Sequence, residues 1–280
     1  MSRVTWLLVA VLLSTVSIGA AAPMEGFVDV PGVRLWVTDS GGDGEPLILL
    51  HAGSGQVAAW ERQIPAFTLA GYRVIAYDRR GWGKSVTDPT TGPQPGVASD
   101  DLQALVERLQ LRRFHLVGIA AGGTVAIDYA AHHPERLRSL VLSATIGGTP
   151  ETAAMTTWIL QPGFAALPGE FRELGVAYRA ANPDGTKRWA TIEHQSVQQP
   201  RLNQPMRSPQ DVAKIATIKT PTLVIVGGAD LLAPPALVRL WADHLSNRKG
   251  FEILGNAGHA VAWEQPEAYN RLVLSFVSKY

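Results

Sequence analysis

The stretch Phe114–Leu142, FHLVGIAAGGTVAIDYAAHHPERLRSLVL, decides how the rest of the chain is read. An apolar run, Phe114–Ile119, gives way to the small residues Ala120–Gly123, then to a helical pattern ending at His132 and His133, then to a second apolar run after PERL. Strand, tight turn, helix and strand in that order make a βαβ unit. A turn that sharp forces unfavourable dihedrals; Gly118 and Gly122 leave room around it, and Gly123 permits close packing of the helix.

Working outward, the same alternation recurs. PLILLHA, YRVIAYD, RSLVLSAT, TPTLVIVGG and GFEILGNA read as further strands. Continuous apolar runs are expected where helices cover both faces of a parallel sheet. FVDV and RLWVTD, joined by Pro31-Gly32, read as an antiparallel hairpin at one edge. With FHLVGIA this predicts eight strands in a mostly parallel sheet flanked by helices, an α/β fold. Leu102, Leu105, Val106 and Leu109 predict a crossover helix over Ser99–Leu111, with Ser99 or Asp100 as its cap. Pro266 opens a closing helix that carries Leu272, Val273, Phe276 and Val277. Roughly seventy residues between the sixth and seventh strands show no strand pattern, a length that points to an inserted helical cap. Trp158, Phe164, Phe171, Tyr178, Trp189 and His194 lie in it and suit a roof over an apolar pocket, with Trp158 expected to touch substrate. The organisation expected is a leader over 1–22, a core over 23–147 and 213–280, and a cap over 148–212.

In the leader, Arg3 precedes the apolar run Trp6–Ile18 and the small residues Gly19–Ala22, the layout of a secretory signal peptide. Export to the periplasm or beyond is therefore expected. An uncleaved amino-terminal anchor is the alternative and the one route to a membrane; the run is short for a span and holds Ser14, Thr15 and Ser17. The chain's 25 basic and 24 acidic residues nearly cancel and are dispersed, which argues against a nucleic-acid partner. Without cysteine there is no disulfide, no catalytic thiol and no thiolate metal site.

Four motifs in register give these strands a resemblance. Gly118-Ile-Ala-Ala-Gly122 follows a strand and opens a helix; LLHAGSG follows the third strand; VIVGGADLLAPP places Asp230 after a late strand; GNAGHAVAWEQPE places His259 after the last. Together they resemble the α/β-hydrolase superfamily, most of all its lidded, lipase- and peroxidase-like branch, across nearly everything after the leader. The resemblance implies that Asp230 orients His259 and that the backbone N–H groups of Gly53 and Ala121 form an oxyanion hole. His51 belongs to that loop and is expected to brace it; Ala52 stands where the family usually has glycine. YDRRGWGKS matches the family's D-x-R-G-x-G-x-S turn, in which Asp78, Arg80, Gly81, Gly83 and Ser85 look structural. His115 and His194 are likewise read as structural.

The resemblance also implies a nucleophilic hydroxyl at position 120, where this chain has alanine. Ordinary acyl-enzyme chemistry needs that hydroxyl. Ser54, Thr124 and Ser143 are the nearby substitutes; Ser54 is expected to bond its own loop and to border substrate, and Thr124 to lie one turn into the helix. Three readings stay open. The chain is an enzyme using a His259–Asp230 dyad on water or on an acidic proton of a small, partly apolar ester, lactone or carbon–carbon substrate; or a serine hydrolase inactivated by substitution; or a ligand-binding relative without catalysis. No motif points to a metal, nucleotide or flavin cofactor, and nothing bears on oligomeric state.

Overall fold

The computed structural model describes residues 21–161 and 163–280, apart from the side chains of Trp158 and Ile159. The expected leader thus lies outside the described residues except for Ala21 and Ala22. Ala21 exchanges backbone hydrogen bonds of 3.0 and 2.7 Å with Gly42.

The strands are β1 (Met24–Val30), β2 (Val33–Asp39), β3 (Pro46–Leu50), β4 (Arg73–Tyr77), β5 (Val86–Thr87), β6 (Phe114–Ile119), β7 (Leu137–Ser143), β8 (Thr222–Gly227) and β9 (Arg248–Leu254). They form one sheet in the order β1-β2-β4-β3-β6-β7-β8-β9, with β5 beside β2. Pairing is parallel from β4 to β9 and antiparallel among β1, β2, β4 and β5. All eight expected strands are present. The ninth, β5, has two residues, too few for any periodicity to show. β9 departs from the buried pattern expected of it: it closes the sheet, and six of its seven residues are only partly buried or exposed, Leu254 alone turning inward.

The helices are α1 (Gln63–Leu69), α2 (Ala98–Arg108), α3 (Ala121–His132), α4 (Pro150–Ile159), α5 (Gly169–Glu173), α6 (Val176–Ala181), α7 (Pro183–His194), α8 (Val212–Ala216), α9 (Pro235–Ala242), α10 (Val261–Glu264) and α11 (Pro266–Val277). Alternation along the strands supplies two cores. Ile48, Leu50, Leu116 and Val224 pack with α2, α3 and α9 on one face; Leu47, Leu49, Val117 and Ile225 pack with α1, α10 and α11 on the other. Pro266 opens α11, as its fixed φ favours.

α2 begins at Ala98, and Val97 takes the cap position without a side-chain bond. The expected cap, Ser99 or Asp100, sits inside the first turn instead, because Ser99 Oγ donates to Asp128 Oδ2 of α3 at 2.6 Å. Both side chains are buried, and Asp128 is also paired with Lys214. Ser99→Ala is therefore expected to cost about 1.5–3 kcal/mol in urea unfolding, the range for a bond to a charged group. A loss near zero would return Ser99 to a solvent-facing role.

Between β7 and β8 the described residues form α4–α8 and no strand. Two of the ties between this segment and the core bear on the site. Gly83 N–H donates to Ser196 O at 2.7 Å and Gln198 N–H to Gly81 O at 3.0 Å. At the other, Glu264 accepts from Gly175 N–H at 2.9 Å and from Gly258 N–H, while Glu173 O accepts from His259 N–H at 2.7 Å. The backbones come so close there that a β-carbon on Gly175 would stand 2.7 Å from Asn256 O.

Candidate active site

Every motif singled out in the sequence lies at the carboxyl end of a parallel strand, where sheets of this kind present their ligand sites. After β6 the chain turns at Ala120 with φ +50° and ψ −114° and enters α3. Alanine in this region is strained by about 1–3 kcal/mol. Close packing holds it: Ala120 N–H donates to Ser143 O at 2.9 Å, and a β-carbon on Gly118 would lie 2.6 Å from Gly122 O.

Asp230 follows β8. Its Oδ1 accepts from the N–H groups of Leu232 (2.8 Å) and Ala233 (2.9 Å), which aims Oδ2 at His259 Nδ1, 2.8 Å away. Both side chains are buried. Because the carboxylate only accepts, Nδ1 carries the hydrogen, and Nε2, with no hydrogen bond among the described residues, faces the cavity. Burial pushes the imidazole pKa down, but the charge and hydrogen bond of Asp230, with Glu173 and Glu264 behind them, outweigh it and raise it to about 9.

The loop after β3 is braced from beneath. His51 Nε2 accepts from Arg79 N–H at 2.9 Å, so Nδ1 is the donor to Ala52 O at 2.7 Å, and burial holds this imidazole well below its ordinary pKa. Trp82 Nε1 donates to Gly53 O at 2.7 Å, and the Arg79 guanidinium stacks on Trp82 at 4.3 Å. Gly53 thereby comes against Ala121: a β-carbon built on Gly53 would stand 3.7 Å from that of Ala121. Neither residue's N–H has a protein acceptor among the described residues. The DRRGWGKS turn is structural as expected. Asp78 accepts from Val57 and Lys84 N–H, and buried Arg80 is bidentate to Asp101.

Two chambers meet at His259. The inner one, about 50 Å³, is apolar and lined by Trp60, Ile119, Trp189, Ile192 and Trp263 among others. The outer one, about 360 Å³, is bordered by Ala120, Gly53, Ala121, Thr124, Arg172 and Arg201. The outer volume suits a small molecule. Ser54, Glu173 and His259 border both. Glu173, at the end of α5, escaped the sequence reading: a lone carboxylate in a helical insertion carries no signal of its burial.

Most of the expected site residues thus converge. His259, Ala120, Gly53, Ala121 and Ser54 share the outer chamber, and Asp230 lies behind His259. Ser54 does not bond its own loop; its hydroxyl donates to Glu173 Oε2 at 2.6 Å, because the insertion brings an acceptor closer than any turn carbonyl. Thr124 borders the outer chamber, whereas Ser143 is buried against Tyr269 OH at 3.0 Å. Trp158 falls in α4, and its side chain lies outside the described residues. Of the other insertion aromatics, Trp189 faces the inner chamber, while Phe171 is half exposed beneath Arg179. His115 is buried in the sheet against Ser139 and Glu45; His194 is exposed beside Glu193. Among the described residues no group of three or more His, Cys, Asp or Glu is placed to hold a metal ion.

A parallel sheet with an acid–histidine pair, a strained strand-to-helix turn and two unpaired N–H groups at one end defines a hydrolase architecture of the α/β type. The model of the alpha/beta hydrolase family matches residues 47–272, and the chain belongs to that family. It is similar, at 30% identity over 271 residues covering 88% of this chain and 92% of the relative, to the 2-hydroxy-6-oxononadienedioate/2-hydroxy-6-oxononatrienedioate hydrolase of Paraburkholderia phymatum. Among solved structures it is similar to a thermophilic esterase from Thermogutta terrifontis (TM-score 0.71, 25% identity, covering 92% of this chain and 99% of that one). Its fold is also like that of carboxylesterase CesB from Bacillus subtilis (TM-score 0.73, 22% identity, covering 92% and 93%).

Proposed function

We propose that the chain is a cofactor-independent hydrolase of small, partly apolar carbonyl compounds, whether esters, lactones or carbon–carbon substrates, that works without a serine nucleophile. Ala120 stands at the nucleophile position, and the His259–Asp230 dyad activates water or removes an acidic substrate proton. Gly53 and Ala121 N–H receive the developing oxyanion. The helical segment over 148–212 acts as the cap, and the leader over 1–22 directs export. The relatives' names, a dienedioate hydrolase and an esterase, support the substrate class.

The observation that carries the reading is the outer chamber itself, where His259, Ala120, Gly53 and Ala121 border one space while Asp230 holds His259 from behind. A methyl group in place of a hydroxyl leaves room beside the imidazole for water. His259 takes the water proton, hydroxide adds to the carbonyl, and the two N–H groups hold the resulting negative charge.

A base must be neutral to act. With its pKa near 9, His259 is cationic at pH 7, only about one imidazole in a hundred being free. The rate is therefore expected to climb about tenfold per pH unit from pH 7 to pH 8 and to level above about pH 9. Steady-state hydrolysis of an ester, a lactone and a diketone between pH 6 and pH 10 checks this. A profile that is flat, or that falls with rising pH, rules out His259 as the base.

A further inference from the structure

Glu173 has no part in the dyad, yet it occupies the centre of the site. Its side chain comes from the insertion, is nine-tenths buried and accepts from Ser54 at 2.6 Å. Among the described residues, Ser54, Glu173 and His259 alone border both chambers, so a substrate reaching from one into the other passes all three. Of these, Glu173 is the one carboxyl. We propose that Glu173 is the general acid of this site, delivering a proton to the oxygen that departs from the substrate. This rests on the hydrolytic reading given above.

The cycle balances without a further reactant. His259 Nε2 takes a proton from water as the hydroxide oxygen bonds the carbonyl carbon and the carbonyl π pair moves to its oxygen. The oxyanion pair then re-forms the carbonyl as the carbon–oxygen bond to the leaving group breaks, and the departing electron pair takes the proton of Glu173. The imidazolium proton passes to the Glu173 carboxylate, which restores both groups; one ester and one water have become one acid and one alcohol.

The surroundings raise the pKa of Glu173. Burial pushes its pKa up, against the opposing pulls of His259, Ser54 and Arg172, while Glu193 adds to the rise. The two groups are reciprocal, since the Glu173 charge is one of the causes that raise His259. A protonated Glu173 thus helps free His259 to act as base.

The test compares the starting protein, Glu173→Gln, Glu173→Asp and His259→Ala on para-nitrophenyl acetate, whose leaving group departs without a proton, and on benzyl acetate, whose leaving group needs one. Glu173→Gln keeps the shape and an oxygen for Ser54. It is expected to lose about a hundredfold in kcat on benzyl acetate and less than about threefold on para-nitrophenyl acetate. Glu173→Asp, which keeps a transferable proton, is expected to recover part of the benzyl acetate rate. Equal losses on both esters, or no loss on benzyl acetate, overturn the proposal. If His259→Ala retains full turnover, the dyad reading fails; if it is inactive while Glu173→Gln treats the esters alike, only the general-acid assignment fails. Turnover of neither ester by the starting protein overturns both.

Discussion

Replacing His259 with alanine is expected to lower kcat on a small ester about a hundredfold to ten-thousandfold, the usual worth of a positioned base, with little change in KM. The loss is expected on kcat because a base acts on a proton in flight, whereas the apolar walls around Trp60, Trp189 and Trp263 stay in place. Folding is expected to survive, since Asp230 keeps its two backbone donors, Leu232 and Ala233. Unchanged turnover in this variant would remove the dyad from the chemistry.

Ala120→Ser is expected to have the opposite effect. Serine at this turn meets the same backbone constraint as the alanine already there, at φ +50°, so the change adds one oxygen without a new demand on the backbone. In a serine protease, loss of the triad serine costs about six orders of magnitude in turnover. Gaining one here is expected to raise ester hydrolysis about a thousandfold or more, to give burst kinetics, and to make the protein label with a fluorophosphonate. Absence of labelling at pH 9, where His259 is half neutral, means that the position does not face the imidazole.

The fold was legible because its signals are local and repeated. Apolar runs such as PLILL and TLVIV, the small residues around Ala120 and the Pro266 helix start each report their own neighbourhood. His259 and Asp230 were legible for a related reason, as each follows a strand whose end fixes its place. What stayed hidden depends on contacts between distant segments. The Ser54–Glu173 bond joins residues 119 positions apart, and the Ser99–Asp128 bond turns a plausible cap into a tertiary contact. β9 reads as buried from its composition, but its place at the end of the sheet decides how much of it meets solvent. No pattern within either segment of a long-range pair encodes the pairing.

The stitching of Glu173–Gly175 to the histidine loop bears on how this scaffold can be re-engineered. His259 takes its backbone position from a carbonyl in the insertion, and Glu264 clamps Gly175 to Gly258. The insertion is therefore not an interchangeable module: grafting one from another hydrolase to widen substrate range would unseat the imidazole unless the graft kept those three residues in register.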